Sequence, residues 1–421
     1  MRKNQIRPDY KWVMVAICFL MVMISLGFGN STKGLFPDEV AKDIGKERSL
    51  VSIGESCRYI ATAITNLFFG FLIIKVGPKR LVCLGFLLLI AANFLYSVAE
   101  SLPLIYLAGT LLGIGFSWTT TTMVGYVVGV WCSKNKGTIM GFVLASSGLG
   151  GAIAIRVVGD MIDPNVTGSY RAAYRLIALV LTVTMIIVLL FFRSAPKTSD
   201  MESGVGSKGA RGQDWVGIDF SQAIKRFYFW GILACVFFSG LILQGTNGIA
   251  AMHLKDVGID YGAVKNLLSF GSLILAAAQF LIGFVYDRLG VRVTASFCTL
   301  FAIVATLLLA FLQPNEVGFV MAVFYSVTVQ LALPLETVML PIYASDLFGK
   351  RSYSKLLGLF VSVNVAGYAL GAPLMNLCYD LFDSYSPALI FVSALMCLAF
   401  ILLQFVITAA HREQKRILSE G

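Results

Sequence analysis

The chain has 421 residues, of which 57% are hydrophobic and only 13% are charged, about half the charged share of an ordinary soluble domain. With a mean hydropathy of +0.81 it cannot cover a water-facing surface, and its many long apolar runs exclude disorder, fibrous repeats and a membrane β-barrel. The excess of 33 Lys and Arg over 23 Asp and Glu is what positive loops on one side of a membrane produce, and needs no nucleic-acid partner.

A bilayer core about 30 Å thick takes roughly 20 apolar residues per helix. In chain order the predicted spans are 12–36, 49–74, 81–99, 104–130, 138–162, 172–193, 227–252, 264–286, 294–312, 318–347, 355–380 and 387–410. The fold class is therefore an all-α membrane protein with twelve transmembrane helices. The first run has no small-residue cleavage site after it, so it is a span rather than a signal peptide. Most joints are short and punctuated by Gly77-Pro78, Pro103, Pro314 and Pro387, as helix breaks are. The exception is 194–226, rich in Gly, Ser and charge. It divides the chain into an N-terminal six-helix bundle (1–193), a cytoplasmic linker and a C-terminal six-helix bundle (227–421). The end of the linker, Asp219 to Arg226, predicts a short surface helix leading into span seven.

Most of the Lys and Arg lie in the tails, the linker and the joints of one side, which places both termini in the cytoplasm. Trp12, Trp131 and Trp230 fall at span ends on that side, where interface anchors belong. A multi-pass monomer in a cell membrane is expected, and the short loops suggest a bacterial cytoplasmic membrane. Seven of the eight cysteines lie in apolar runs and none form a close pair, so they read as small core residues.

The halves repeat each other. Gly70-Phe-Leu-Ile-Ile-Lys75-Val-Gly77-Pro-Lys79-Arg80 after span two returns as Gly283-Phe-Val-Tyr-Asp287-Arg288-Leu-Gly290-Val-Arg292 after span eight, and Gly141 and Gly150 return as Gly358 and Gly367. A half-length repeat implies two pseudo-symmetric bundles facing a midplane site. On these residues the chain resembles the major facilitator superfamily along essentially its whole length. The resemblance implies alternating access, with Gly70, Gly77, Gly283 and Gly290 allowing close packing and Asp287 with Arg288 latching a cytoplasmic gate. The first copy departs, because Ile74 stands where the family's acid usually is. Trp131 to Gly151, with Lys134, Lys136 and Gly137, and Asp346 to Arg351 are similar to the monocarboxylate porter and oxalate–formate antiporter branch. So is Ser25 to Gly29 followed by Lys33.

Charges inside spans are costly, about 2.5–3.5 kcal/mol at a helix centre. Arg58 lies roughly 12 Å in from the outer end of span two at about 1.5 Å per residue, and Glu55 precedes it by one turn. A guanidinium fork suits a carboxylate, to which it donates two parallel hydrogen bonds. Arg58 is therefore a candidate anion-binding group, against the bland alternative of a rigidifying Arg58–Glu55 pair. Arg156 and Lys33 sit about 28 and 31 Å along their helices, where each could snorkel to the interface; as a cluster with Arg58 they would draw anions. Glu336, between Pro334 and Pro341, is the charge well inside the second bundle. It is a candidate for proton coupling together with Glu55, or else a bonded gate residue. Trp118, Tyr126, Asn247 and Tyr325 complete a possible pocket, with Ser117 to Thr122, Gln244, Gln330 and Asn364 nearby. Any one threonine is better explained by helix packing.

Several signals carry little. Asn165-Val-Thr167 matches a glycosylation sequon by chance, and the histidines, His253 in a joint and His411 in the tail, offer no buried pair for metal or acid–base chemistry. Gly148 to Gly151 lie inside a span, and a Walker-type loop is missing, which leaves ATP-driven transport unsupported. No cofactor is expected. The expected function is secondary transport of a small, monocarboxylate-like organic anion, coupled to protons. The alternatives are organic-anion exchange of the oxalate–formate type and drug or cation efflux. Spans eight and eleven offer Gln279 and Asn364 where oxalate–formate antiporters carry basic residues. That disfavours a two-cation clamp. The stretch Gly148-Leu149-Gly150-Gly151 lacks the Gly-Pro pair typical of efflux proteins.

Overall fold

The structure, a computed structural model, describes residues 10–33, 36–46, 48–132, 135–162, 166, 168–193, 217–259, 261–382 and 384–420, and every regular element in them is helical. Among the described residues, eleven helices are each long and apolar enough to cross a membrane, and the pair Ile53–Leu67 and Phe69–Lys75, bent by 59°, makes a twelfth span if counted as one. The first of the pair belongs to the helix Arg48–Leu67. The first bundle holds span one (Tyr10–Phe28), that bent span two, span three (Pro78–Val98), span four (Leu102–Thr119 and Thr121–Trp131), span five (Lys136–Gly159) and span six (Tyr170–Phe191). The second holds span seven (Phe227–Asp256), span eight (Tyr261–Leu289), span nine (Val291–Ala310), span ten in three pieces, span eleven (Tyr353–Phe382) and span twelve (Ser386–Glu420). Phe220–Ala223 forms the short helix expected before span seven. Residues 194–216 and both ends of the sequon, Asn165 and Thr167, lie outside the described residues.

Local chemistry explains where the spans depart from straight helices. The hydroxyls of Ser117, Thr119 and Thr120 bond back to the carbonyls of Gly113, Gly115 and Phe116. Such back-bonding loosens a helix, and span four breaks at Thr120. Span ten divides into Glu316–Ala332, Pro334–Thr337 and Met339–Asp346, as prolines that lack an N–H require. Span one, expected to reach residue 36, ends in a π-helical turn at Phe28, so Lys33 sits in the turn beyond it. His253, expected in a joint, is buried within span seven. Span twelve continues past residue 410 to Glu420.

Large apolar side chains remain exposed on the outer helix faces, including Leu190 and Phe391. They form the surface that lipid covers. Cys18, Cys132, Cys235 and Cys298 are buried as expected of small core residues, whereas Cys397 is exposed on span twelve. The face where spans one and seven begin is called the terminal face below, and its opposite the distal face. On the terminal face Arg226 pairs with Glu413 at 2.8 Å and Arg351 with Asp219 at 2.9 Å. These pairs tie the short helix and the last helix to the second bundle.

Candidate substrate and coupling site

Span two runs Glu55, Arg58, Thr62 and Asn66 along one face, as residues three or four apart do. Thr62 bonds the carbonyls of Arg58 and Gly113. A Cβ on Gly113 would strike the Arg58 carbonyl, so only glycine lets spans two and four approach here. That approach sets the Phe116 ring 5.6 Å from the Arg58 guanidinium, while the Tyr59 ring lies 4.4 Å away. Arg58 is 4% exposed. Its Nε and Nη2 donate to one oxygen of Glu55 at 3.0 and 2.6 Å, and its Nη1 donates to Asn30 at 2.8 Å. Lys33 reaches the same Glu55 oxygen at 3.8 Å and donates to the Tyr59 hydroxyl at 2.8 Å. Two cations thus share one carboxylate, which leaves the cluster formally positive.

Beside this cluster is a cavity of about 50 Å³ within the first bundle, lined by Lys33, Phe36, Glu55, Asn93, Tyr96 and Tyr174 among others. That volume holds a few waters. Arg58 itself is not in its lining, so a substrate at the guanidinium needs the cluster to rearrange. The cavity is roofed by the distal helix Pro37–Ile44, where Asp43 accepts from Tyr170 at 2.8 Å and from Arg171 at 2.9 Å. Burial acts to raise the Asp43 carboxyl, but these donors outweigh it and hold the carboxyl below the usual range.

In the second bundle Glu336 is 3% exposed, in the Pro334–Thr337 piece of span ten. Gln244 of span seven donates to its Oε2 at 2.8 Å. Its Oε1 accepts no hydrogen bond among the described residues, although the Tyr368 hydroxyl of span eleven lies beside the carboxyl. Tyr368 in turn meets the Tyr59 ring edge-on, with centroids 5.9 Å apart. The Tyr59–Tyr368 contact therefore carries the surroundings of Lys33 and Arg58 across the bundle boundary to the side of Glu336.

The terminal side of that boundary is closed by backbone packing and one carboxylate. Asn135 opens span five in a left-handed conformation and supplies no cap. Asp287 of span eight does so instead: its carboxylate accepts from the Gly137 and Thr138 N–H groups at 3.1 and 2.7 Å. This is the capping that a helix N-terminus ordinarily takes from its own chain neighbour. Asp287 thus caps span five, while Arg288 is exposed and lies over its own helix's Phe284 ring at 4.3 Å rather than pairing with Asp287. Gly283 abuts the Gly137 carbonyl and Gly70 abuts the Lys355 backbone, while Gly77 and Gly290 take positive φ (89° and 83°) at matching turns.

Not every expected site residue joins these groups. Arg156 is exposed near the distal end of span five, the snorkelling position. Trp118 packs its Cβ against Gly85 of span three, so Phe116 and Tyr59 form the aromatic wall at Arg58 in its place. Tyr126 lies edge-on to Phe69 on the terminal half, and Asn247 is half-buried on span seven. Tyr325 is buried, its hydroxyl unpartnered among the described residues. Asn364 donates to the Val236 carbonyl and serves packing. Asn30, Tyr59, Phe116 and Tyr368 went unnoticed in the sequence. Tyr59, adjacent to Arg58, and Tyr368, one turn after Asn364, were the available signals.

Twelve spans in two bundles, with buried polar groups meeting at mid-depth between them, define a membrane carrier for small molecules. The sequence model of the Major Facilitator Superfamily matches residues 15–340 and 232–421; the chain belongs to that family. It is 22% identical over 424 residues to the oxalate:formate antiporter of Oxalobacter formigenes, covering 97% of this chain and 94% of that one. It is 23% identical to monocarboxylate transporter 12-B of Danio rerio, covering 97% and 90%. Among solved structures, the proton:xylose symporter XylE superposes with a TM-score of 0.76 at 11% identity, over 94% of this chain and 96% of that one.

Proposed function

We propose that this transporter moves a small, monocarboxylate-like organic anion by alternating access and couples it to protons. The observation that carries the reading is Arg58, a guanidinium 4% exposed whose carboxylate partner is shared with Lys33. An anion entering from the distal face would compete with Glu55 for the guanidinium fork. Glu55 and Glu336 are the carboxyls available to carry protons, and Asp287 holds the terminal face shut. The terminal face is assigned to the cytoplasm from the bias of Lys and Arg toward it. The carrier works as a monomer in a cell membrane, here read as a bacterial cytoplasmic one, without a cofactor. Resemblance along the full length to a monocarboxylate transporter and an oxalate:formate antiporter supports the anion class.

The test is uptake of labelled lactate, pyruvate, formate, oxalate and succinate into proteoliposomes. Each is tried under an inward proton gradient and again with unlabelled anion inside, beside Arg58→Gln. Gradient-driven uptake lost in the variant supports symport. Uptake only against internal anion makes the protein an exchanger. No flux and no ligand stabilisation with any anion moves efflux of drugs or cations to the front.

A further inference from the structure

Glu336 and the Arg58 cluster sit in different bundles, so proton and anion can be coupled only through something that both bundles touch. Spans two and eleven form one of the two long seams between the bundles. On its terminal half the seam is tight: Ser362 donates to the Ala63 carbonyl at 2.6 Å, and Gly358 abuts the Asn66 carbonyl. Tyr59 and Tyr368 lie about 6 and 9 Å further toward the distal face than Ala63 and Ser362, at about 1.5 Å per residue. Their edge-on contact therefore stands at mid-depth, beyond the tight seam.

Each ring of this pair is held by one of the two ionisable sites. Tyr59 carries the Arg58 guanidinium on its face and takes the Lys33 ammonium on its hydroxyl. Tyr368 places its hydroxyl beside Glu336, whose Oε1 accepts no hydrogen bond among the described residues. The groups facing Glu336 are Gln244 from span seven and Tyr368 from span eleven. From span eight Gln279 donates to the neighbouring Thr337 at 3.4 Å and accepts from Ser147 at 3.4 Å, rather than meeting Glu336. The first-bundle charges on the far side of the ring pair are Lys33, Glu55 and Arg58, gathered around Tyr59. Coupling between two sites needs an element whose equilibrium both of them bias, and this contact meets that condition.

We propose that the Tyr59–Tyr368 contact is the coupling element of the transport cycle, with Tyr368 a positioning residue that reports the protonation of Glu336 to the anion site. This rests on the reading of Arg58 as the anion site. An ionised Glu336 draws the neighbouring Tyr368 hydroxyl onto its Oε1 as a donor, whereas a protonated Glu336 does not. The Tyr368 ring therefore sits differently against Tyr59 in the two states, and the grip of Tyr59 on Lys33 and Arg58 changes with it. Anion affinity thus follows pH through a ring contact rather than through a direct ion pair.

The experiment measures thermal stabilisation of the purified full-length protein by lactate, oxalate and succinate at acid and alkaline pH. Wild type, Tyr368→Phe and Arg58→Gln are compared, and proteoliposome exchange and gradient-driven uptake follow on the same proteins. The wild-type apparent affinity should change by about fivefold or more across the pH range, the lower end of ordinary coupling. Tyr368→Phe keeps the ring and loses the hydroxyl, so it should bind and exchange anion while losing that pH dependence and gradient-driven accumulation. PH-dependent binding that persists unchanged in Tyr368→Phe would overturn the inference. So would exchange and accumulation falling by equal factors, since that marks a merely structural role. Wild-type affinity independent of pH, with Arg58→Gln unable to bind, would sink the coupling element and leave the anion site standing. No stabilisation by any anion, or binding undiminished in Arg58→Gln, would overturn both.

Discussion

The two related loops, 70–80 and 283–292, fold alike and work differently. Both turn at a positive-φ glycine, and in both a basic residue lies over a phenylalanine one turn earlier: Lys75 over Phe71 at 5.4 Å, Arg288 over Phe284 at 4.3 Å. At the position between them, however, Asp287 caps span five across the bundle boundary, while its counterpart Ile74 is 75% exposed. The duplicated sequence therefore keeps the turn on both sides and the inter-bundle cap on one. On the five–eight side an anionic cap adds to close packing. On the two–eleven side the seam relies on packing, Ser362 and the tyrosine pair. The side without such a cap is the one on which Tyr59, beside the charged cluster, meets Tyr368 of the other bundle.

The largest effect should come from filling the five–eight seam. Gly283→Val would drive a side chain into the Gly137 carbonyl, and overpacking of this kind costs about 1–3 kcal/mol or more. The melting temperature in detergent should fall and transport should be lost, whereas an unchanged melting point would show that the seam yields. Next is Arg58→Gln, which leaves Glu55 facing Lys33 alone. Losing a charged hydrogen-bond partner costs about 1.5–3 kcal/mol, reduced here because Glu55 is one-third exposed. Adding Glu55→Gln should restore the melting temperature but not anion stabilisation, which separates the structural pair from the binding group.

Asp287→Ala tests the asymmetry itself. Loss of a helix cap is worth about 1 kcal/mol, and the terminal face should open more often. Maleimide labelling of Cys132, buried near that face, should speed up severalfold, with little change in melting temperature. Ile74→Asp, which builds the missing acid, should slow the same labelling. If it does nothing, the second latch lacks a partner at span eleven.

The smallest effect is on the distal face. Asp43 has its carboxyl held below the usual range by Tyr170 and Arg171. A lowered folded value contributes stability that is present above the ordinary carboxylate pKa, about 3.9, and is lost as pH falls through the folded value. Asp43→Asn should therefore cost up to about 1 kcal/mol at neutral pH and progressively less below about pH 4. A difference that grew on acidification would contradict the arrangement.

Spans, duplication and the candidate charges were legible because a bilayer imposes length and apolarity on every helix. No context was needed to see that Arg58, Glu55 and Glu336 are misplaced in lipid. The kinks at Pro334 and the small helix before Phe227 followed from equally local chemistry. Arg156 takes the snorkelling position that its depth allowed, whereas the direction in which Trp118 faces could not be read from depth along a helix. Which residues meet across the bundles was set by tertiary structure alone. Tyr59 and Tyr368 are 5.9 Å apart in space and in opposite halves of the chain, and a period along one helix carries no information about a partner on another. The same is true of Asp287: its type could be read from the repeat, but only packing of span eight against span five decided that it would cap a helix instead of pairing with Arg288.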